Sequence, residues 1–246
     1  MQNVEPHPAD SSTTPAASLS QVSKLFGSFA ALRKVSVEFE PGSSTMVLGD
    51  NGAGKSTMLR LIAGLITPSR GTVLTFGADP HRNRQRIAYM SHEPMLYDEL
   101  SALENLRYFA TLYYQCEGED ACACSGSPET ALRAVGLDPA LTRPVGQYSQ
   151  GMRQRASLAR VLQADPEILL LDEPFSNLDV ASAKQMVDLL RDFRTWPVHD
   201  VEAPRRRTII LTTHQAHLAE TLAEAKVTMR AGAVISVEGA GVHQLA

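Results

Sequence analysis

The stretch that decides the fold reads Gly49-Asp50-Asn51-Gly52-Ala53-Gly54-Lys55-Ser56-Thr57 and follows a short apolar run at 45–48. It matches the phosphate-binding pattern G-x-x-x-x-G-K-[ST], in which glycines let backbone N–H groups turn towards an anion. The next turns carry apolar residues at the spacing of one helix face, namely Met58, Leu61, Ile62 and Leu65. Strand, glycine-rich loop and helix in this order predict a nucleotide phosphate site; the alternative is a glycine-rich turn without a ligand. In such a site Lys55 reaches the β- and γ-phosphates, and Ser56 supplies a hydroxyl to Mg²⁺.

Length and composition are those of an ordinary globular protein, with 246 residues of which 43% are hydrophobic and 20% charged. The net charge of −4 argues against a dedicated nucleic-acid binder. No apolar stretch reaches the roughly 20 residues of a membrane helix, and the N-terminus lacks the basic-then-apolar pattern of a signal peptide. We therefore expect a cytoplasmic protein, in which any membrane role comes through partner chains.

The two ends of the chain differ in composition from its middle. Residues 1–18 are rich in Pro, Ser, Thr and Ala, which predicts a disordered tail and a structured domain from Leu19 to about 241. Alternating apolar residues at 35–39 and the run 72–76 predict strands beside the nucleotide core. A last hairpin is predicted across Ala231-Gly232.

Between these ends, helical and strand patterns alternate. Helix-like spacing from about 96 to 164 predicts a helical lobe inserted into the core. The continuous apolar runs 168–171 and 208–212 are typical of parallel strands that are covered on both faces. The chain is therefore predicted to be an α/β protein with a mostly parallel sheet, an N-terminal antiparallel β part and a helical lobe.

Two local clusters favour a structural reading over a binding site. Cys116, Cys122 and Cys124 crowd into one polar stretch, but their spacing matches no zinc pattern, so reduced thiols in a loop are favoured over a metal site. The run Arg205-Arg206-Arg207 precedes a predicted strand. A solvated sheet edge is favoured there over nucleic-acid or lipid binding.

The dipeptide Asp172-Glu173 ends the first of the two buried strands. Ligands of open α/β sheets bind at the carboxyl ends of the strands. In phosphate-loop NTPases such an aspartate holds Mg²⁺, and the glutamate that follows is placed to orient and polarise the attacking water. The alternative for this pair is an acidic helix N-cap.

The order of five motifs resembles the ATP-binding cassette (ABC) ATPases of ABC transporters. The motifs are the phosphate loop, Ser149-Gln150-Gly151, Asp172-Glu173-Pro174, Ser176-Asn177-Leu178-Asp179 and a strand that ends at His214. The resemblance extends from Leu19 to about Gly239. It implies the cassette fold, with the helical lobe at about 96–164.

The resemblance implies a role in nucleotide binding for each matching residue. Phe26 would stack on the adenine of ATP, and residues 49–57 would hold the phosphates. Ser56 and Asp172 would be the protein's ligands to Mg²⁺.

Catalytic roles follow from the same resemblance. Glu173 would be the general base, and Lys55 would neutralise charge on the phosphates. His214 would hydrogen-bond the γ-phosphate and hold the attacking water.

The resemblance also implies partners. Two copies would form a homodimer (or a pair with a related subunit) that sandwiches two ATP molecules, with Ser149 and Gly151 on the nucleotide of the partner subunit and Asp179 at the dimer seam. The dimer would drive separate transmembrane permease subunits from the cytoplasmic face of the inner membrane, as a peripheral ATPase without nucleic acid.

Two positions depart from the family pattern. The signature reads Tyr-Ser-Gln-Gly-Met at 148–152, where Leu-Ser-Gly-Gly-Gln is common, but Ser149 and Gly151 are kept. His92 stands where the family has a glutamine that offers an oxygen to Mg²⁺. Imidazole is a poor ligand for this hard cation, so His92 acts through a water, leaves the metal contact vacant or is an ordinary loop residue.

The stretch 91–106 further resembles the ATP-binding subunit of the haem exporter complex of cytochrome c maturation, in which histidine commonly replaces that glutamine. Residues 149–155 are similar to its signature region, whereas 116–126 and 196–207 look like insertions. This favours a role in haem handling for c-type cytochromes. The alternatives are an exporter ATPase for a drug, lipid or polysaccharide, and a soluble ABC-type ATPase that acts on ribosomes or DNA. One cassette without heptads or zinc spacing argues against the last.

Overall fold

The computed structural model describes residues 14–115, 127–195 and 207–245. The three cysteines, Arg205, Arg206 and the first thirteen residues lie outside these ranges, so the predictions made for them stay predictions.

The described chain forms two sheets and six α-helices. The strands are β1 (Ala17–Phe26), β2 (Phe29–Phe39), β3 (Ser44–Leu48), β4 (Arg70–Thr75), β5 (Ile87–Met90), β6 (Ile168–Asp172), β7 (Thr208–Thr212), β8 (Ala225–Arg230), β9 (Ala233–Gly239) and β10 (Val242–Gln244). The helices are α1 (Lys55–Ile62), α2 (Ala102–Gln115), α3 (Pro128–Ala134), α4 (Gln150–Leu162), α5 (Val180–Thr195) and α6 (Ala216–Ala219), with short 3₁₀ helices at Pro80–Arg86 and Val145–Gln147.

The smaller sheet is antiparallel, with the strand order β10-β2-β1-β4. It begins and ends outside the predicted domain limits. β1 starts at Ala17, before Leu19, and β10 lies beyond residue 241. The fully buried Ala16 and the nearly buried Val242 explain the difference, because small or single apolar residues in polar surroundings leave no periodic pattern to read.

The larger sheet has the order β5-β6-β7-β3-β8-β9, in which β9 alone of these strands runs antiparallel to its neighbour. Ile168 to Leu171 are fully buried, as the continuous apolar run predicted. Alternate residues face opposite layers: Leu170 packs towards α1 and the antiparallel sheet, and Leu169 and Leu171 pack towards α2–α6. The predicted α/β architecture with a helical lobe is confirmed.

Helix α1 is shorter than its apolar pattern suggested. Met58, Leu61 and Ile62 are buried as predicted, but Leu65 is 60% exposed. The helix ends at Ile62, and Gly64 turns the chain with a φ of +70°, so the face does not continue to Leu65. No helix within 14–115, 127–195 or 207–245 has the length and apolar character needed to cross a membrane.

Arg207 corrects the prediction of a solvated basic edge. Its side chain is only 1% exposed and donates to the Pro166 carbonyl oxygen at 2.8 Å and to the Asp165 carboxylate. The guanidinium lies 4.5 Å from the ring centroid of Phe193. These partners are distant in sequence, and they allow a cation to be buried at the start of β7.

Candidate active site

A cleft of about 880 Å³ lies at the carboxyl ends of the parallel strands. The phosphate loop enters it from β3, and Asp172 and Glu173 enter from β6. His214 follows β7, and His92 follows β5. The topology therefore gathers in one place residues that are up to 165 positions apart in the sequence, from Gly49 to His214.

The phosphate loop is built on glycines that other residues cannot replace. Gly54 has a φ of +101°, and an added Cβ would lie 2.6 Å from the Ala31 carbonyl oxygen. Lys55, which is 6% exposed, donates from Nζ to the carbonyl oxygens of Gly49 (2.6 Å) and Asp50 (3.3 Å). The ammonium is thus held over the loop at the start of α1, where an anion is favoured.

Asp172 is 2% exposed and receives hydrogen bonds on both carboxylate oxygens. Ser56 Oγ (2.9 Å) and Thr212 Oγ1 (2.7 Å) donate to Oδ1. Tyr89 OH donates to Oδ2 at 3.0 Å. A hydroxyl and a carboxylate in contact are the hard oxygen donors that Mg²⁺ prefers, so these residues fit the predicted metal.

Tyr89 is a site residue that the sequence did not reveal. Burial raises the pKa of its phenol to about 12, so the phenol stays neutral and donates a hydrogen bond to Asp172. Arg60 Nε donates to the same hydroxyl at 3.4 Å. The contact depends on the pairing of β5 with β6, in which Tyr89 lies opposite Leu170, and no local pattern encodes that register.

Glu173 adopts a left-handed backbone with a φ of +53°. Its amide donates to Thr212 O (3.1 Å) and Thr212 Oγ1 (3.0 Å). Its Oε2 accepts from the His214 amide (3.2 Å) and from His214 Nδ1 (2.9 Å), and its Oε1 lies 3.8 Å from Lys55 Nζ. The carboxylate is therefore aimed beside both predicted catalytic partners, in a conformation that only surrounding contacts sustain.

His92 is exposed in the cleft, and its Nδ1 lies 3.1 Å from the hydroxyl oxygen of Ser176. This contact joins the position of the usual glutamine to the turn that follows Glu173. The residue is therefore part of the site's hydrogen-bond network, which argues against an ordinary loop histidine.

Phe26 lies outside the residues that line the cleft, and the ammonium of Lys24 is 5.1 Å from its ring centroid. Phe29 lines the cleft instead and is 61% exposed. Gly27, with a φ of +57°, turns the chain between the two rings. The stacking of Phe26 on adenine stays a prediction, and Phe29 is a second aromatic candidate that sequence reasoning missed.

The signature residues begin α4 and do not line the cleft in the described part of the chain. Ser149 caps the helix by accepting a hydrogen bond from the Met152 amide at 3.3 Å. An added Cβ on Gly151 would lie 2.7 Å from Ser182 Oγ, so α4 approaches α5 closely here. The Ser182 amide donates to Asp179 at 2.7 Å, which lowers the pKa of that carboxyl.

A protein-family model described as "ABC transporter" matches residues 32–176, more than half of the chain. The chain belongs to this family. A second model, described as an AAA domain, matches residues 133–220. The ABC ATPase that the motif order predicted is thereby confirmed as the enzyme class.

Curated ABC relatives span different transport tasks. The ABC transporter ATP-binding protein NatA of Bacillus subtilis is 34% identical over 210 residues, covering 83% of this chain and 80% of that protein. The phosphonates import ATP-binding protein PhnC of Thiobacillus denitrificans is 33% identical over 234 residues, covering 89% and 86%. A fluoroquinolones export ATP-binding protein of Mycobacterium tuberculosis is 34% identical, covering 82% and 64%. Family membership therefore identifies the ATP-binding subunit, and the transported species differs among relatives.

Solved structures agree with the cassette fold. A dimeric ATP-binding cassette in a post-hydrolysis state, bound to ADP and Pi, matches with a TM-score of 0.73 and 25% identity over 91% of this chain and 98% of that one. The ATP-binding subunit of an ABC transporter matches with a TM-score of 0.71 and 25% identity, covering 92% and 90%.

Proposed function

We propose that this ABC subunit hydrolyses ATP with Glu173 as general base, as a dimer that drives separate transmembrane subunits. The observation that supports the proposal is the position of the Glu173 carboxylate, bonded to His214 and 3.8 Å from the Lys55 ammonium. A carboxylate beside a phosphate-binding lysine can orient a water for in-line attack on the terminal phosphate.

Each residue has one task in this mechanism. Lys55 and the loop amides bind the phosphates and neutralise their charge, as positioning and electrostatics account for most of the catalysis of phosphoryl transfer. Glu173 accepts a hydrogen bond from the attacking water, and His214 fixes the carboxylate through its amide and Nδ1. Ser56 and Asp172 would hold Mg²⁺, which supplies charge neutralisation at the phosphates when bound.

The proposed active unit is a pair of subunits. Ser149 and Gly151 lie outside the cleft of their own chain, so a second copy would have to bring them to the nucleotide. A structurally similar cassette is dimeric with ADP and Pi. The pair would dock on permease subunits at the cytoplasmic face of the inner membrane, as a peripheral partner.

The finer proposal is that the complex handles haem for c-type cytochrome biogenesis. Its support is His92 in place of the usual glutamine, together with the similarity of the stretch 91–106. A relative from Mycobacterium tuberculosis is a fluoroquinolones export ATP-binding protein, so drug export is the competing function.

The ATPase proposal is tested by Glu173→Gln, which keeps the shape of the side chain and removes the base. We expect unchanged ATP binding, a loss of turnover of about 100-fold or more and an ATP-stabilised dimer in light scattering. Glu238→Gln, on the far strand β9, is the matched control and should keep full turnover. Retained turnover in Glu173→Gln would remove Glu173 from the role of base.

The haem proposal is tested by deletion of the gene, followed by a haem stain of membrane proteins. We expect covalent haem on c-type cytochromes to disappear and to return with the wild-type gene but not with Lys55→Ala. Unchanged haem attachment would reject the role in cytochrome maturation and leave the ATPase assignment intact.

A further inference from the structure

A single buried hydroxyl links His92 to the residue proposed as the base. Ser176 is 7% exposed, and its Oγ donates to the Glu173 carbonyl oxygen at 2.9 Å. The same Oγ lies 3.1 Å from His92 Nδ1. A serine hydroxyl has one proton, and a carbonyl can only accept, so Nδ1 of His92 must be the donor to Ser176. The three groups therefore form a directed chain from His92 to Ser176 to Glu173.

This series of hydrogen bonds ends at Glu173, whose backbone conformation needs support. Glu173 has a φ of +53°, a region in which a residue with a Cβ is strained. Its amide is fixed by Thr212, and its carbonyl oxygen accepts from both the amide (3.1 Å) and the hydroxyl of Ser176. Since the direction of the carboxylate follows from this backbone, the hydroxyl of Ser176 helps to aim it.

We propose that Ser176 and His92 are positioning residues for Glu173, with His92 donating from Nδ1 to the serine that fixes the carbonyl of Glu173. The proposal rests on the proposed role of Glu173 as base. His92 then acts through the backbone of the base and is not a ligand of the metal, in keeping with the poor match between imidazole and Mg²⁺.

Removal of either link should slow turnover without weakening nucleotide binding. We expect Ser176→Ala and His92→Leu each to lower kcat about 10-fold, a fraction of the roughly 10²–10⁴ that a general base contributes. The KM for ATP and the Mg²⁺ dependence of fluorescent ATP binding should stay at wild-type values, and the loss of one hydrogen bond should lower Tm by no more than about 4 °C. His92→Asn keeps an N–H donor at the position of Nδ1 and should retain kcat within about 3-fold, since only the link to Ser176 is at stake.

The double variant Ser176→Ala/His92→Leu decides whether the two residues act in series. If both residues belong to the same series of hydrogen bonds, either substitution alone already breaks it. The double variant should therefore be slowed about 10-fold, like either single variant. Independent action would multiply the losses to about 100-fold. A multiplied loss would overturn the proposal, because the two residues would then act independently. A raised Mg²⁺ requirement for ATP binding in His92→Leu would overturn it in favour of direct metal contact.

Controls separate this proposal from the proposed function itself. His243→Leu, on β10, removes a histidine outside the cleft and should not change kcat. If Glu173→Gln retains turnover, the role of the base fails; if it abolishes turnover while His92→Leu and Ser176→Ala do not slow it, the positioning role alone fails. Should Ser176→Ala fold poorly, the contrast between His92→Leu and His92→Asn carries the test, because the side chain of His92 is exposed.

Discussion

The two edges of the parallel sheet carry cavities of similar size and similar charge, about 880 Å³ at the carboxyl edge and about 800 Å³ at the amino edge. At the amino edge, three arginines line the cavity, and each is matched by a carboxylate of the same chain. Arg86 pairs with Glu167, Arg194 with Glu224, and Arg207 with Asp165; these three pairs lie in the described part of the chain.

The carboxyl edge is arranged differently. Lys55 is as buried as a core residue, yet its partners are two backbone carbonyls and a carboxylate at 3.8 Å. Glu173 is held in a left-handed conformation, and Asp172 accepts hydrogen bonds from hydroxyl groups, with no ion pair to it among the residues that the structure describes. The contrast teaches that the size of a cavity and the number of charges in it do not identify a functional site. Charged side chains without a close partner of opposite charge, beside a strained backbone, do identify one.

Lys55→Ala tests this distinction most strongly. The change removes the cation of the carboxyl edge, so we expect hydrolysis to fall by at least about 100-fold, as when one electrostatic donor to a transition state is lost. Tm should change little, because the carbonyl oxygens of Gly49 and Asp50 that lose this donor border the cleft, where water can replace it, and the ion pair with Glu173 spans 3.8 Å. A steady-state phosphate assay and a thermal melt measure the two effects. A large fall in Tm with activity kept would show that Lys55 serves stability and not catalysis, against the distinction drawn between the two edges.

Arg207→Met should behave in the opposite way. The substitution removes the hydrogen bonds that Arg207 donates to the Asp165 carboxylate and the Pro166 carbonyl oxygen, and removing one partner of a buried pair costs about 3 kcal/mol or more. Urea unfolding measures the loss, and ATP binding by the folded fraction should be unchanged. Arg191→Met, in an exposed pair with Asp188, is the matched control with a cost below about 1 kcal/mol.

Tyr89→Phe tests the metal side of the carboxyl edge. The phenol donates a hydrogen bond to Asp172 Oδ2. Loss of a group that orients a metal ligand weakens metal binding by at least about 10-fold. We expect a higher Mg²⁺ concentration for half-maximal binding of fluorescent ATP, with binding in EDTA unchanged. Tyr108→Phe, on the exposed face of α2, should leave the Mg²⁺ titration as it is. An unchanged titration in Tyr89→Phe would limit Tyr89 to packing.

Arg86→Met should have the smallest consequence. Its side chain is 38% exposed and solvent screens its charge, but it donates two hydrogen bonds to Glu167, so the expected cost in urea unfolding is about 1 kcal/mol. A cost near that of Arg207→Met would show that exposure does not separate the pairs of this edge.

Local patterns in the sequence predicted the parts of the fold that local physics determines. The phosphate loop between β3 and α1 was predictable because glycine conformation, helix start and apolar spacing all act within a few residues. Asp172 was predictable because a fully buried strand must end at the edge where ligands bind. The exposure of Leu65 was not predictable, since the turn at Gly64 follows the end of the helix, whereas the apolar pattern in the sequence continues to Leu65.

Contacts between distant segments account for what the sequence left out. Tyr89 reaches Asp172 through strand register, and Arg207 is buried by Asp165, 42 residues away. Phe29 reaches the cleft because of the path that the chain takes after Gly27. None of these depends on spacing along the chain, so no periodic pattern records them.

The missing side chain of Gly151 has a mechanical meaning. Since an added methyl group would stand 2.7 Å from Ser182 Oγ, the glycine leaves room for that side chain of α5 beside the start of α4. A larger residue at this position would have to displace the Ser182 side chain or move α4 away from α5. One absent carbon thus sets how closely the signature helix can approach its neighbour.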